Sequence, residues 1–188
     1  DCVIMGVRHI MKDAPPDLIL SGVNHGSNLA EDVTYSGTVA AAMEGTLLGI
    51  RSIALSLMMG IDDQGRRGYW ETAMAHAPSL VQKLLEADWG AGILMNVNFP
   101  DVLPNQIAGT AVTRQGVRDQ ALLNIDSRTD PWGTPYFWFG FERRKSTLVP
   151  GTDLAAIAEG KISVTPLSLD LRSADAANAL ATRLKAGV

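Results

Sequence analysis

The chain has 188 residues, sets 16 lysines and arginines against 20 aspartates and glutamates for a net charge of -4, and is 46% hydrophobic and 19% charged. That balance can fill a core, which excludes a chain disordered throughout, and the weak negative charge excludes a dedicated binder of nucleic-acid polymers, which needs a basic stripe. A single cysteine, Cys2, forms no internal disulfide and fits a reducing compartment; no apolar run approaches the roughly 18 residues of a membrane span, so a soluble cytoplasmic domain is expected.

The chain opens at Asp1 without an initiator methionine, and Val3, Ile4, Val7, Ile10 and Met11 already follow a helical period. A piece of a longer chain is therefore expected. Residues 2–12 are predicted helical, ended by Pro15-Pro16, and 17–21 form a short buried strand. A polar, glycine-bearing loop is expected from Gly22 to Tyr35. A second helix follows from Ser36 to Leu48, with Val39, Met43 and Leu47 on one face, Ser36 or Thr38 as N-cap and Gly49 as its stop.

Residues 53–58 read as the next strand, 71–87 as a helix restarted or kinked at Pro78, and 93–99 as a strand closed by Pro100. Strand and helix in alternation predict an α/β fold, a parallel sheet with crossover helices. After residue 105 the pattern changes. Residues 111–113, 136–141 and 162–165 are predicted strands, with one short helix over 153–159 capped by Thr152 and stopped by Gly160. Six of the eleven aromatic residues fall between Trp132 and Phe141. A strand apolar on both faces needs cover on both, either from a second subunit, as an oligomer-forming arm, or from the chain's own core. We expect one domain: an α/β part over 1–105, a β-rich arm over 106–171 and a C-terminal helix over 172–188.

The richest segment for chemistry follows the first strand: Ser21-Gly22-Val23-Asn24-His25-Gly26-Ser27-Asn28. Ligands of open α/β sheets bind outside the carboxyl ends of strands. Here two glycines let backbone approach a ligand, and two asparagines offer oxygens to a hard cation. The competing reading is that Asn and Gly are turn formers. Eight residues past Asn28, Ser36-Gly37-Thr38 opens a helix, where free N–H groups and the dipole favour an anion; an ordinary cap is the alternative. Together the two features point to metal-assisted phosphate ester chemistry.

Other clusters carry less. Asp62-Asp63 runs into Gln64-Gly65-Arg66-Arg67, which reads as a solvated loop, and Arg143-Arg144-Lys145 as a solvated charge run. Glu31-Asp32 is either a solvated pair or an orienter of its loop. His25 could hydrogen-bond a substrate, whereas His9 and His76 sit in helical patterns. No G-x-S-x-G, H-E-x-x-H, C-x-x-C, P-loop or dinucleotide fingerprint occurs, which counts against a serine hydrolase, a zincin and a nucleotide-binding oxidoreductase.

The blocks from Pro16 to Leu29 and from Glu31 to Gly45 closely resemble the SurE family of metal-dependent nucleotidases. The likeness continues through Asn96-Val97-Asn98-Phe99-Pro100, Val112-Thr113-Arg114-Gln115-Gly116, Gly151-Thr152-Asp153-Leu154 and Ser163-Val164-Thr165-Pro166-Leu167. It implies a Rossmann-like fold and hydrolysis of nucleoside 5′- or 3′-monophosphates to nucleoside and phosphate. It also implies a divalent metal, Mg²⁺ or Mn²⁺, with Asn24 as a ligand, Asn28 lining the catalytic pocket, and Ser36, Gly37 and Thr38 holding the substrate phosphate. Members exchange C-terminal segments, so a homodimer or homotetramer is expected, with the aromatic strand in an oligomerisation arm. The family's main metal carboxylates, an Asp-Asp pair after its first strand, precede the point where this chain starts. This chain is therefore expected to lack its first strand and to be inactive alone. The rival expectation is a non-catalytic oligomerisation or binding module.

Overall fold

The computed structural model describes residues 1–63, 65–118, 123–141 and 148–185. The run Arg143-Arg144-Lys145 lies outside them. Helix α1 covers Cys2–Met5 and widens into a π-helical stretch over Gly6–Ile10, a shorter and less regular element than the helix expected over 2–12. Strand β1 (Leu18–His25) leads through a 3-10 turn (Ala30–Thr34) to helix α2 (Gly37–Leu47) and strand β2 (Arg51–Leu57). A short hairpin of β3 (Gly60–Asp62) and β4 (Gly65–Arg67) precedes helix α3 (Trp70–Glu86) and strand β5 (Ile93–Phe99). Then come β6 (Thr110–Val112), the hairpin β7 (Leu123–Thr129) and β8 (Pro135–Phe141), helix α4 (Asp153–Ala158), β9 (Ile162–Ser168) and helix α5 (Ala174–Lys185).

The central sheet has the order β1-β2-β5-β9-β6. Strands β1, β2 and β5 are mutually parallel, as the alternation of strands and helices predicts. The sheet departs from all-parallel at β9, which runs antiparallel to β5 and parallel to β6. Nothing in a strand's own sequence encodes the direction of its neighbour.

Side chains alternate across each strand, and the two faces differ in chemistry. On one face Ile53, Leu55, Leu57, Val97 and Phe99 pack under Ala73, Ala77, Leu80 and Leu84 of α3. On the other, Ala54 and Leu94 meet Val39 and Ala42 of α2. Towards the carboxyl edge this second face turns polar, with Ser56, Asn96, Asn98, Ser163 and Thr165 all buried. Such a layer is stable only if its groups find partners, and the loop after β1 supplies several of them.

Helix α3 runs unbroken through Pro78, where a restart or kink was expected. Proline removes one i to i−4 hydrogen bond and crowds the preceding turn; the apolar face packed on β2 and β5 holds the helix together regardless. Pro78→Ala is therefore expected to stabilise the protein by about 2 kcal/mol, read as a rise in urea midpoint at constant m-value.

The aromatic strand does not fill the core. Phe137, Trp138 and Phe139 are 59–71% exposed, so the described residues leave this segment uncovered. Its partner β7 was missed because Asn124, Asp126, Ser127 and Arg128 dilute the apolar alternation. The two strands pair from Leu123 with Phe141 to Thr129 with Pro135. Helix α5 likewise buries no residue. Among the described residues, no helix is long and apolar enough to cross a membrane.

Candidate active site at the carboxyl edge of the sheet

Strand β1 extends four residues further than its apolar run, through Asn24 to His25, so the segment expected to be loop begins inside the sheet. Gly22 makes this possible. Its φ of +119° suits glycine, and a Cβ there would lie 2.2 Å from the Leu55 carbonyl oxygen. The register shifts between Ser21 and Asn24, after which Asn24 pairs with Ser56 and His25 with Leu57. Asn24 therefore faces the α2 side and His25 the α3 side.

The asparagine amides are oriented by their donors. Asn24 Nδ2 donates to the Gly26 carbonyl at 2.8 Å, and Asn28 Nδ2 to Ser56 Oγ at 2.7 Å. Both Oδ1 atoms are left as the acceptor ends, and neither makes a hydrogen bond among the described residues. The backbone of buried Asn28 is held from β5: its N–H donates to Asn98 Oδ1 at 2.8 Å, and its carbonyl accepts from Asn96 Nδ2 at 2.8 Å and Asn98 Nδ2 at 3.1 Å. Asn96 and Asn98 were read only as part of a buried strand. Polar residues at i and i+2 within an apolar strand share one face, and that signal could have found them.

The loop is clamped again farther along. Ala30 sits at φ +51°, an uncommon place for a residue with a Cβ. Its N–H donates to Asp153 Oδ2 at 2.8 Å, and its carbonyl accepts from Gln115 Nε2 at 3.0 Å. The Glu31 carboxylate accepts from the Arg118 N–H, and Asp32 pairs with the Arg118 guanidinium. Glu31-Asp32 is thus an orienter of its loop rather than a solvated pair.

At the start of α2, Ser36 is the N-cap: its Oγ accepts from the Val39 N–H at 3.1 Å, which settles the choice between Ser36 and Thr38. The first-turn N–H groups of Gly37 and Thr38 have no partner among the described residues, and a Cβ on Gly37 would meet nothing within 4 Å. With the Ser36 and Thr38 hydroxyls, this helix start is open to an anion. Ser36 also borders a cavity of about 670 Å³ that Met43, Leu167 and Arg114 help to line.

The Asn24 and Asn28 oxygens suit a hard dication in kind, but such an ion takes about six oxygen ligands, usually with carboxylates among them. Among the described residues no group of three or more His, Cys, Asp or Glu side chains could hold a metal ion. Asp62 ends β3 at the tip of the β3–β4 hairpin, and Asp63, in the turn that follows, is exposed. The described residues therefore do not make up a complete divalent site of that kind. His76 Nε2 lies 3.1 Å from the Pro104 carbonyl, a contact that joins α3 to the segment after β5.

Residues 1–121 match the family model described as Survival protein SurE. The chain is 58% identical over 170 residues to the 5′-nucleotidase SurE of Azorhizobium caulinodans, covering 90% of this chain and 66% of that protein. With the 5′-nucleotidase SurE of Parvibaculum lavamentivorans it shares 53% over 180 residues, 96% of this chain and 65% of the relative. The crystal structure of the SurE protein from Aquifex aeolicus superposes with a TM-score of 0.76 at 41% identity, covering 92% of this chain and 67% of that one. The chain thus spans about two thirds of the length of the curated relatives it matches.

Proposed function

The chain belongs to the SurE family, and from that premise we propose that it is the larger part of a cytoplasmic, metal-dependent phosphomonoesterase. Its substrates are nucleoside 5′-monophosphates, with 3′-monophosphates as a second class, and its products are nucleoside and phosphate. The observation that carries this reading is the pairing, on one carboxyl edge, of two amide oxygens aimed by their own hydrogen bonds with an open helix start.

In this reading the Gly37 and Thr38 N–H groups and the Ser36 and Thr38 hydroxyls hold the substrate phosphate. Because the donors are already in place, they stabilise charge on the transferring group without reorganisation. Asn28, immobilised on Ser56, Asn96 and Asn98, lines the pocket and keeps its Oδ1 directed at the ligand. Asn24 Oδ1 is the atom this chain offers to Mg²⁺ or Mn²⁺. The described residues group no carboxylates of the kind such an ion needs, and this chain alone is expected to be inactive. The exposed β7–β8 hairpin and α5 serve assembly into a homodimer or homotetramer.

The test is phosphate release from AMP with and without Mn²⁺ or Mg²⁺, comparing this chain with a version extended by the upstream coding residues of its gene. Metal-dependent release from the extended version alone is the expected result. The exposed aromatic hairpin favours the second reading, a non-catalytic assembly module. That reading gains if neither version releases phosphate while both are folded and metal-loaded.

A further inference from the structure

The carboxyl edge carries a second feature on the α3 side. The His25 imidazole and the Trp70 indole stack with ring centroids 5.9 Å apart and planes 20° from parallel. His25 ends β1 and is exposed, and Trp70, the first residue of α3, is 40% exposed. A tryptophan placed for the core would be covered, yet this one presents ring surface to solvent at the edge where α/β sheets bind ligands.

We propose that the His25–Trp70 pair is the platform on which the base of the substrate stacks, and that it favours purine over pyrimidine monophosphates. The proposal rests on the nucleotidase reading and names the part of the substrate which that reading leaves without a partner. Asn24 and the α2 start lie on one side of the sheet edge, and the alternation along β1 turns His25 to the other. A nucleotide lying across the edge would keep its phosphate at α2 and bring its base over the imidazole–indole pair. Stacking on aromatic rings strengthens with the ring surface covered. A purine thus gains more than a pyrimidine.

Two experiments test this separately from the chemistry. Adenosine, which has no phosphate, is titrated into this chain while the indole N–H resonances are followed by NMR, with Trp70→Phe identifying the Trp70 signal. A saturable shift of that signal is expected; no shift, or one at another tryptophan, overturns the proposal whatever the enzyme does. In the extended version, Trp70→Ala is expected to raise KM for AMP about ten-fold with little change in kcat. Trp70→Phe should recover most of the loss, and KM for ribose 5-phosphate, which has no base, should move less than about two-fold. Equal losses on both substrates overturn the platform. Adenosine binding at Trp70 with no hydrolysis of any monophosphate would instead remove the nucleotidase reading and leave the platform standing.

Discussion

Asp153→Ala is expected to destabilise the protein by about 4 kcal/mol and to free the loop that carries Asn28. Asp153 is fully buried. Its Oδ2 accepts from the Ala30 N–H at 2.8 Å, and its Oδ1 from the N–H groups of Gly116 at 2.8 Å and Leu154 at 2.7 Å. One carboxylate thus joins the loop after β1, the segment after β6 and the first turn of α4. Alanine would strand buried N–H groups without acceptors, each at about 1–3 kcal/mol. The Ala30 conformation, intrinsically about 1–2 kcal/mol unfavourable, would lose one of its two anchors. Urea unfolding measures the loss, and Ala30→Gly should recover part of it in the Asp153→Ala background. A loss under about 1 kcal/mol would show that the loop is held without the aspartate.

Asn24→Ala in the extended version is expected to lower phosphate release about a hundred-fold while costing only about 1 kcal/mol of stability. The asymmetry follows from its surroundings. Asn24 is half-buried, and its one side-chain hydrogen bond among the described residues, from Nδ2 to the Gly26 carbonyl, is local. Its loss leaves no buried network broken, whereas it removes the amide oxygen that the bond aims. Parallel thermal melts and initial rates over a range of Mn²⁺ separate the two effects. Higher Mn²⁺ should restore part of the activity if Asn24 acts as a metal ligand. A rate within about three-fold of the parent would remove Asn24 from the site.

Much of the fold is legible in the chain because its signals are local. Ile93–Phe99 is a strand bounded by Gly92 and Pro100, and its observed limits match the expectation. Ser36 starts α2 as an N-cap, and Gly49, at φ +81°, follows the point where that helix stops. Thr152 likewise caps α4 with its side chain. Each of these rests on the conformational preference or hydrogen-bonding reach of one or two residues, which the sequence displays directly.

The candidate site was legible only in part. Asn24, Asn28 and Ser36-Gly37-Thr38 stand out by residue type and by their place after a strand. The residues that immobilise them do not. Ser56, Asn96, Asn98 and Asp153 come from β2, β5 and α4, up to 123 positions away in the chain, and apart from the i, i+2 spacing of Asn96 and Asn98 nothing local marks them as a set. The Trp70 stack on His25 is equally non-local, since it needs the start of α3 to come back beside the end of β1.

By itself, then, the sequence determined the alternation of strands and helices, the capped helix starts and the residue types able to meet a cation and a phosphate, because all of these depend on neighbours within a few residues. Only the tertiary structure decided the antiparallel entry of β9 between β5 and β6, the exposure of the aromatic hairpin and the buried polar layer beneath the loop. These depend on which distant surfaces meet. A buried amide or carboxylate is stable only where the partners brought by other strands satisfy it, and that condition is set by the folded chain as a whole.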